Sequence, residues 1–117
     1  MRILVIEDDE GMRLVVRRML ESAGHEVAEA ENGSAGMRLF EQGGYDAVVT
    51  DLIMPEKEGI ETIVTIRQSD KAVRVVAMSG GAQVGQGDYL KMAAGLGANA
   101  TLNKPFTKQD LLRALAS

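Results

Sequence analysis

The fold class this sequence predicts is a doubly wound α/β sandwich, a (βα)5 alternation around a five-stranded parallel sheet of order 2-1-3-4-5. Three observations predict it. Short β-rich runs alternate with helical patterns five times along the 117 residues. The first, third and fourth runs are near-continuously apolar, as strands covered on both faces are. Polar side chains capable of chemistry stand directly after the runs, which gathers them at one end of a parallel sheet. Right-handed crossovers reduce the remaining topologies to a few, and the favoured order puts the edges of strands one and three together at a switch point.

The first run, at 3–6, is Ile-Leu-Val-Ile. A helical pattern follows, with Met12, Val15, Val16, Met19, Leu20 and Ala23 on one face and Gly24 at its end. The second run, at 27–28, lies in the alternation Glu26, Val27, Ala28, Glu29, Ala30, which suits a more exposed edge strand. Leu39 and Phe40 anchor the second helix, and Gly43-Gly44 stops it. The third run is at 47–50, followed by a helix carrying Ile60, Ile63 and Val64. The fourth run, at 73–78, leads into a glycine-rich stretch at 80–87 that reads as one long flexible loop, then a helix with Leu90, Ala93 and Ala94. The fifth run is at 100–102. The last helix opens on Thr107-Lys108-Gln109-Asp110, a capping box in form, and carries Leu111, Leu112 and Leu115. There are no linkers, repeats or low-complexity segments, so residues 1–117 read as one domain.

Composition narrows the function. Cysteine is absent, which excludes a disulfide framework and a thiolate zinc site. No apolar run approaches a membrane span and the N-terminus lacks a signal-peptide layout, so a cytoplasmic protein without membrane contact is expected. The net charge of -4, with only two Phe and two Tyr to stack on bases, argues against direct nucleic-acid binding. The seven Met residues read as core filler.

Glu7, Asp8 and Asp9 follow the first run, Asp51 the third, Ser79 the fourth and Lys104 the fifth. Taken singly, each has a plainer reading: acids capping a helix, an Asp turn ahead of Pro55, a loop serine, an exposed lysine before a proline. The fold brings all of them to one rim, and coincidence at every position is the weaker explanation. Clustered carboxylates repel, so either some are protonated or a cation sits among them. A hard divalent ion that accepts oxygen ligands, Mg²⁺ or Mn²⁺, fits best. Asp51 then has a nucleophilic oxygen for aspartyl phosphate chemistry, Lys104 supplies a point charge for a phosphoryl oxygen, and the Ser79 hydroxyl a hydrogen bond.

These segments resemble the receiver domain of two-component response regulators, of the chemotaxis-receiver kind, over essentially the whole chain. The likeness is carried by Ile3-Leu4-Val5-Ile6-Glu7-Asp8-Asp9, Val48-Val49-Thr50-Asp51-Leu52-Ile53-Met54-Pro55, Met78-Ser79-Gly80 and Lys104-Pro105-Phe106. The resemblance implies a flavodoxin-like fold and a phosphorelay function without enzymatic turnover. Asp51 matches the phosphoryl acceptor, Asp8 the direct metal ligand, Glu7 a ligand acting through water, and Ile53 the residue whose backbone carbonyl completes the metal site. Ser79 and Lys104 fill the hydroxyl and lysine positions, and a cis bond before Pro105 is expected. Asp9 reads as a helix cap. Thr101 stands where the family often has an aromatic ring, so the readout is expected from the loop after strand 4, with the surface of helix 4, strand 5 and helix 5.

The implied phosphodonor is a histidine kinase or a histidine phosphotransfer protein; the effector is open. Arg13, Arg17 and Arg18 on the first helix serve equally as a docking surface or as a solvated face with pairs such as Arg17 and Glu21. His25, in a turn before strand two, reads as a surface residue. A metal-dependent phosphatase with an aspartyl nucleophile would want an acid where Ile53 stands, and a nucleotide-phosphate module would want donors where Glu7 to Asp9 stand. A degenerate receiver is opposed by the complete set of acids, Ser79 and Lys104.

Overall fold

Arg2–Ile6 forms the first strand, β1, and its alternate side chains line two different cores. Leu4 and Ile6 enter one, Ile3 and Val5 the other, and all four are fully buried. The computed structural model describes residues 1–52, 58–80, 91 and 93–116. Within them the chain runs β1, α1 (Glu10–Ser22), β2 (Glu26–Ala30), α2 (Gly33–Glu41), β3 (Ala47–Asp51), α3 (Glu58–Ser69) and β4 (Arg74–Gly80). The helical residues 93–96, here α4, then β5 (Ala100–Lys104) and α5 (Lys108–Ala116) complete it. The sheet is parallel throughout, in the order β2-β1-β3-β4-β5, as the alternation predicts.

The same alternation continues across the sheet. Val48, Val75 and Ala77 join Leu4 and Ile6 beneath Ile63 and Ile66 of α3 and Ala93 of α4. Ala47, Val49, Val76 and Met78 join Ile3 and Val5 beneath Val16 and Leu20 of α1 and Leu111 and Leu115 of α5. Covering by helices on both sides is why these strands read as near-continuous apolar runs. Edge strand β2 is only partly covered, in keeping with its mixed sequence.

Helix ends follow local chemistry. The Asp9 side chain caps α1 by accepting from the Met12 amide at 3.1 Å, as expected. Thr107 and Asp110 cap each other reciprocally at the start of α5. Gly24, Gly43 and Gly44 take the positive φ angles that stop α1 and α2. Arg67 of α3 donates to the carbonyls of Gly97 and Val73 and to Asn99 Oδ1, tying α3 to the entry of β5.

Two expectations need correction. Strands β3, β4 and β5 run further than their apolar runs, so Asp51, Ser79 and Lys104 are strand residues rather than residues after strands. The backbone ladder continues where apolar side chains stop, because its hydrogen bonds do not depend on them. Val15 does not share the buried face of α1; it is 45% exposed, and Val16 and Leu20 carry the burial with Met12 and Met19 at the margin. A helical stripe wide enough to include Val15 overestimates the arc that one sheet face covers. Ile53, Met54, Pro55, Leu90 and residues 81–87 of the glycine-rich stretch lie outside the described residues.

Candidate functional site

The order β2-β1-β3 places the C-terminal ends of β1 and β3 side by side at the switch point of the sheet. Glu7 leaves β1 there, with its amide donating to the Ala30 carbonyl of β2 at 3.1 Å. Asp51 ends β3 beside it, and the Leu52 amide donates to the Met78 carbonyl of β4 at 2.8 Å. Glu7 and Asp51 are buried while Asp8 is exposed, yet each offers a carboxylate oxygen such that all three atoms lie within 4.8 Å of one another. The predicted acid cluster is therefore assembled by the strand ends themselves.

Lys104, the last residue of β5, reaches across two strand ends into this cluster. Its ammonium donates to Glu7 Oε2 at 2.8 Å and lies 3.5 Å from Asp51 Oδ1. The bond from Lys104 to Pro105 is cis, as expected. Ser79, on β4 between the acids and Lys104, is fully buried, and among the described residues its hydroxyl has no hydrogen-bond partner. A buried hydroxyl without a partner costs about 1–3 kcal/mol and is uncommon in native structures.

Electrostatics mark the same place. Burial pushes the Glu7 carboxyl up to about 7, and the neighbouring Asp51 charge pushes in the same direction against the Lys104 hydrogen bond. Burial works to lower the Lys104 ammonium, but the hydrogen bond to Glu7 and the charges of Asp51 and Glu7 outweigh it, and the net shift is upward. Excess negative charge in an all-oxygen donor set suits a hard divalent cation. Glu7, Asp8 and Asp51 fit such an ion on this structure's own evidence: their oxygens converge, and Glu7 is held far from its ordinary ionisation by burial and a like charge that a cation would offset.

Of the other sequence candidates, Asp9 caps α1, and its amide donates to Glu7 Oε1 at 3.2 Å. The expected backbone ligand, Ile53, lies outside the described residues. Thr101 is exposed on β5, opposite Ala77. His25 is at the other end of the sheet, its Nδ1 3.2 Å from the N-terminal amine. The pairing of Arg17 with Glu21 is present at 3.2 Å. The sequence singled out Arg13 for docking or solvation but not for its contact with Glu7, and it missed Gly59. Arg13 donates to the Glu7 carbonyl at 2.9 Å. Gly59 packs so closely that a Cβ there would collide with the Asp51 carbonyl oxygen and lie 2.6 Å from that of Leu52. A glycine inside a helical pattern, just after the segment that follows Asp51, was the available signal.

Comparison with known proteins agrees with this geometry. The chemotaxis protein CheY of Bacillus subtilis is 34% identical over 97% of this chain and 93% of its own length. A response regulator receiver domain protein of Clostridium thermocellum superposes with a TM-score of 0.90 at 32% identity, covering 98% of this chain and 90% of that one. The response regulator TrrA of Thermotoga maritima, solved in complex with Mg²⁺-BeF, superposes with a TM-score of 0.84 at 27% identity, covering 98% and 96%. The model of the response regulator receiver domain matches residues 3–116, from the buried start of β1 to the last residue of α5. The chain belongs to the response regulator receiver domain family, the receiving modules of phosphorelay signal transduction.

Proposed function

We propose that Asp51 is the phosphoryl acceptor of this module and that Glu7, Asp8 and Asp51, with the Ile53 backbone carbonyl, hold one Mg²⁺ or Mn²⁺ beside it. The observation that carries the reading is the meeting of three carboxylates and one lysine at the switch point of the sheet. When bound, the ion offsets the charge of the carboxylates and of the incoming phosphoryl oxygens. That the related TrrA was solved with Mg²⁺-BeF supports the same choice of ion.

The chain's own residues do the rest. A carboxylate oxygen of Asp51 attacks phosphorus; the new O–P bond forms as the donor's N–P bond breaks, and the imidazole nitrogen keeps that electron pair. Lys104, already 3.5 Å from Asp51, stabilises the charge on the transferring group. The Ser79 hydroxyl, buried without a partner among the described residues, donates to a phosphoryl oxygen once one is present. Ser79 and Lys104 thus gain contacts in the phosphorylated state alone, which biases the loop after β4 and the surface of α4, β5 and α5.

The donor in this reading is a histidine kinase or a histidine phosphotransfer protein, and the product is a switched surface for an effector rather than a released chemical product. Residues 1–117 act as one domain in the cytoplasm. Among the described residues no helix is long and apolar enough to cross a membrane.

The test is incubation with Mg²⁺ and acetyl phosphate, read by intact mass. A single phosphoryl adduct is expected, absent in Asp51→Asn and absent when the metal is chelated. An adduct that survives Asp51→Asn sinks the assignment of the acceptor.

A further inference from the structure

Glu7 has each of its hydrogen-bonding groups engaged. Its amide donates to Ala30, its carbonyl accepts from Arg13 Nη1 at 2.9 Å, Oε1 accepts from the Asp9 amide, and Oε2 accepts from Lys104. Two of these contacts come from long side chains: Lys104 meets the Glu7 carboxylate, whereas Arg13, on α1, meets the main-chain carbonyl and must itself be held. Glu29 holds it: Arg13 Nε lies 3.5 Å from Glu29 Oε1, and the other Glu29 oxygen receives Arg17. Glu29 sits on β2 opposite Val5, one residue before the Ala30 that fixes the Glu7 amide. The Arg13 side chain is only 17% exposed, so it is not a freely solvated charge.

An ion pair of this length near the surface contributes at most about 1 kcal/mol, so stability alone gives the arrangement little purpose. Its geometric effect is larger. The turn between β1 and α1 carries Glu7 and Asp8, and the Asp8 carboxylate is exposed and takes no hydrogen bond from a described residue. The direction of Asp8 is therefore set by the backbone of its turn. That backbone is pinned at the Glu7 amide by β2 and at the Glu7 carbonyl by Arg13.

We infer that Arg13 is a positioning residue for the metal-holding turn, and that Glu29 serves by orienting Arg13. The guanidinium holds the Glu7 carbonyl, which keeps the Glu7 and Asp8 carboxylates converged on Asp51. This deepens the proposed function and rests on it.

The experiment compares the parent with R13A, R13K and E29Q by calorimetric titration with Mg²⁺, by exchange of the Asp9 amide in chelator, and by the thermal midpoint in chelator. R13A is expected to bind Mg²⁺ about 10-fold more weakly, the lower end for loss of an orienting partner, with faster Asp9 amide exchange and a nearly unchanged midpoint. R13K keeps one donor for the carbonyl and recovers most of the affinity; E29Q falls between R13A and the parent. If the parent binds Mg²⁺ and R13A binds it as tightly, this inference alone is overturned. A weaker R13A whose midpoint falls in step, with no recovery in R13K, also overturns it, in favour of a general folding role. A parent that binds no Mg²⁺ overturns the site reading and this inference together.

Discussion

Lys104 Nζ stands 2.8 Å from Glu7 Oε2, joining the end of β5 to the end of β1 across the two strands between them. The pair is nearly dry on the Glu7 side, which is 1% exposed, so the ammonium is the countercharge that lets Glu7 ionise at all. Replacing Lys104 with Met is expected to move the Glu7 carboxyl further up from about 7, visible by carboxyl-carbon NMR titration in chelator. Some phosphoryl uptake should remain in this variant, with a weakened conformational response.

Glu7 also sets a pH dependence for the metal-free protein. Burial pushes its carboxyl up to about 7 in the folded state, from an ordinary carboxylate value of 4.5. Below 4.5 both states hold the proton; between 4.5 and about 7 the unfolded chain gives it up while the folded chain keeps it. The contribution is therefore full below 4.5 and lost as pH rises through about 7. Urea unfolding in chelator should show this as a loss on the order of 2 kcal/mol, after discounting for screening at the rim. Glu7→Gln should flatten that part of the profile.

Ser79→Ala should separate stability from switching. Removing a buried hydroxyl that has no partner among the described residues is expected to raise the stability of the unphosphorylated protein by about 1 kcal/mol. Phosphorylated protein should lose part of its conformational response, because one phosphoryl oxygen loses its donor. Thermal unfolding with and without acetyl phosphate checks both halves.

Gly59→Ala tests the close approach of α3 to β3. The added methyl meets the backbone of Asp51 and Leu52, which cannot swing aside as a side chain can. A destabilisation of about 1–3 kcal/mol is expected from the overpacking. Phosphoryl uptake should slow as well, because the displaced backbone carries the proposed acceptor, Asp51. Guanidinium unfolding and labelling rate by intact mass give the two numbers.

The sheet order was legible because burial on both faces writes itself as apolar runs, and right-handed crossovers leave few ways to connect them. Glu7, Asp8, Asp51, Ser79 and Lys104 were legible because each stands where an apolar run gives out. The hold of Arg13 on Glu7 was not, since its acceptor is a backbone carbonyl, which every residue type presents alike. Val15 was misplaced because periodicity marks a direction on a helix without marking how wide an arc the sheet covers. The strand ends were set short because residues such as Asp51 and Lys104 pair through the main chain while their side chains look like loop chemistry.

In β3, Val48 serves one core and Val49 the other. A slip of one residue would exchange the two linings, so the strand has no intermediate resting place. Asp51 inherits that indivisibility: its position relative to β1 moves in whole-residue steps or not at all. Changes that tune the proposed acceptor must then act through the connecting segments and helix exteriors, while Asp51 itself stays anchored by the hydrocarbon of its own strand.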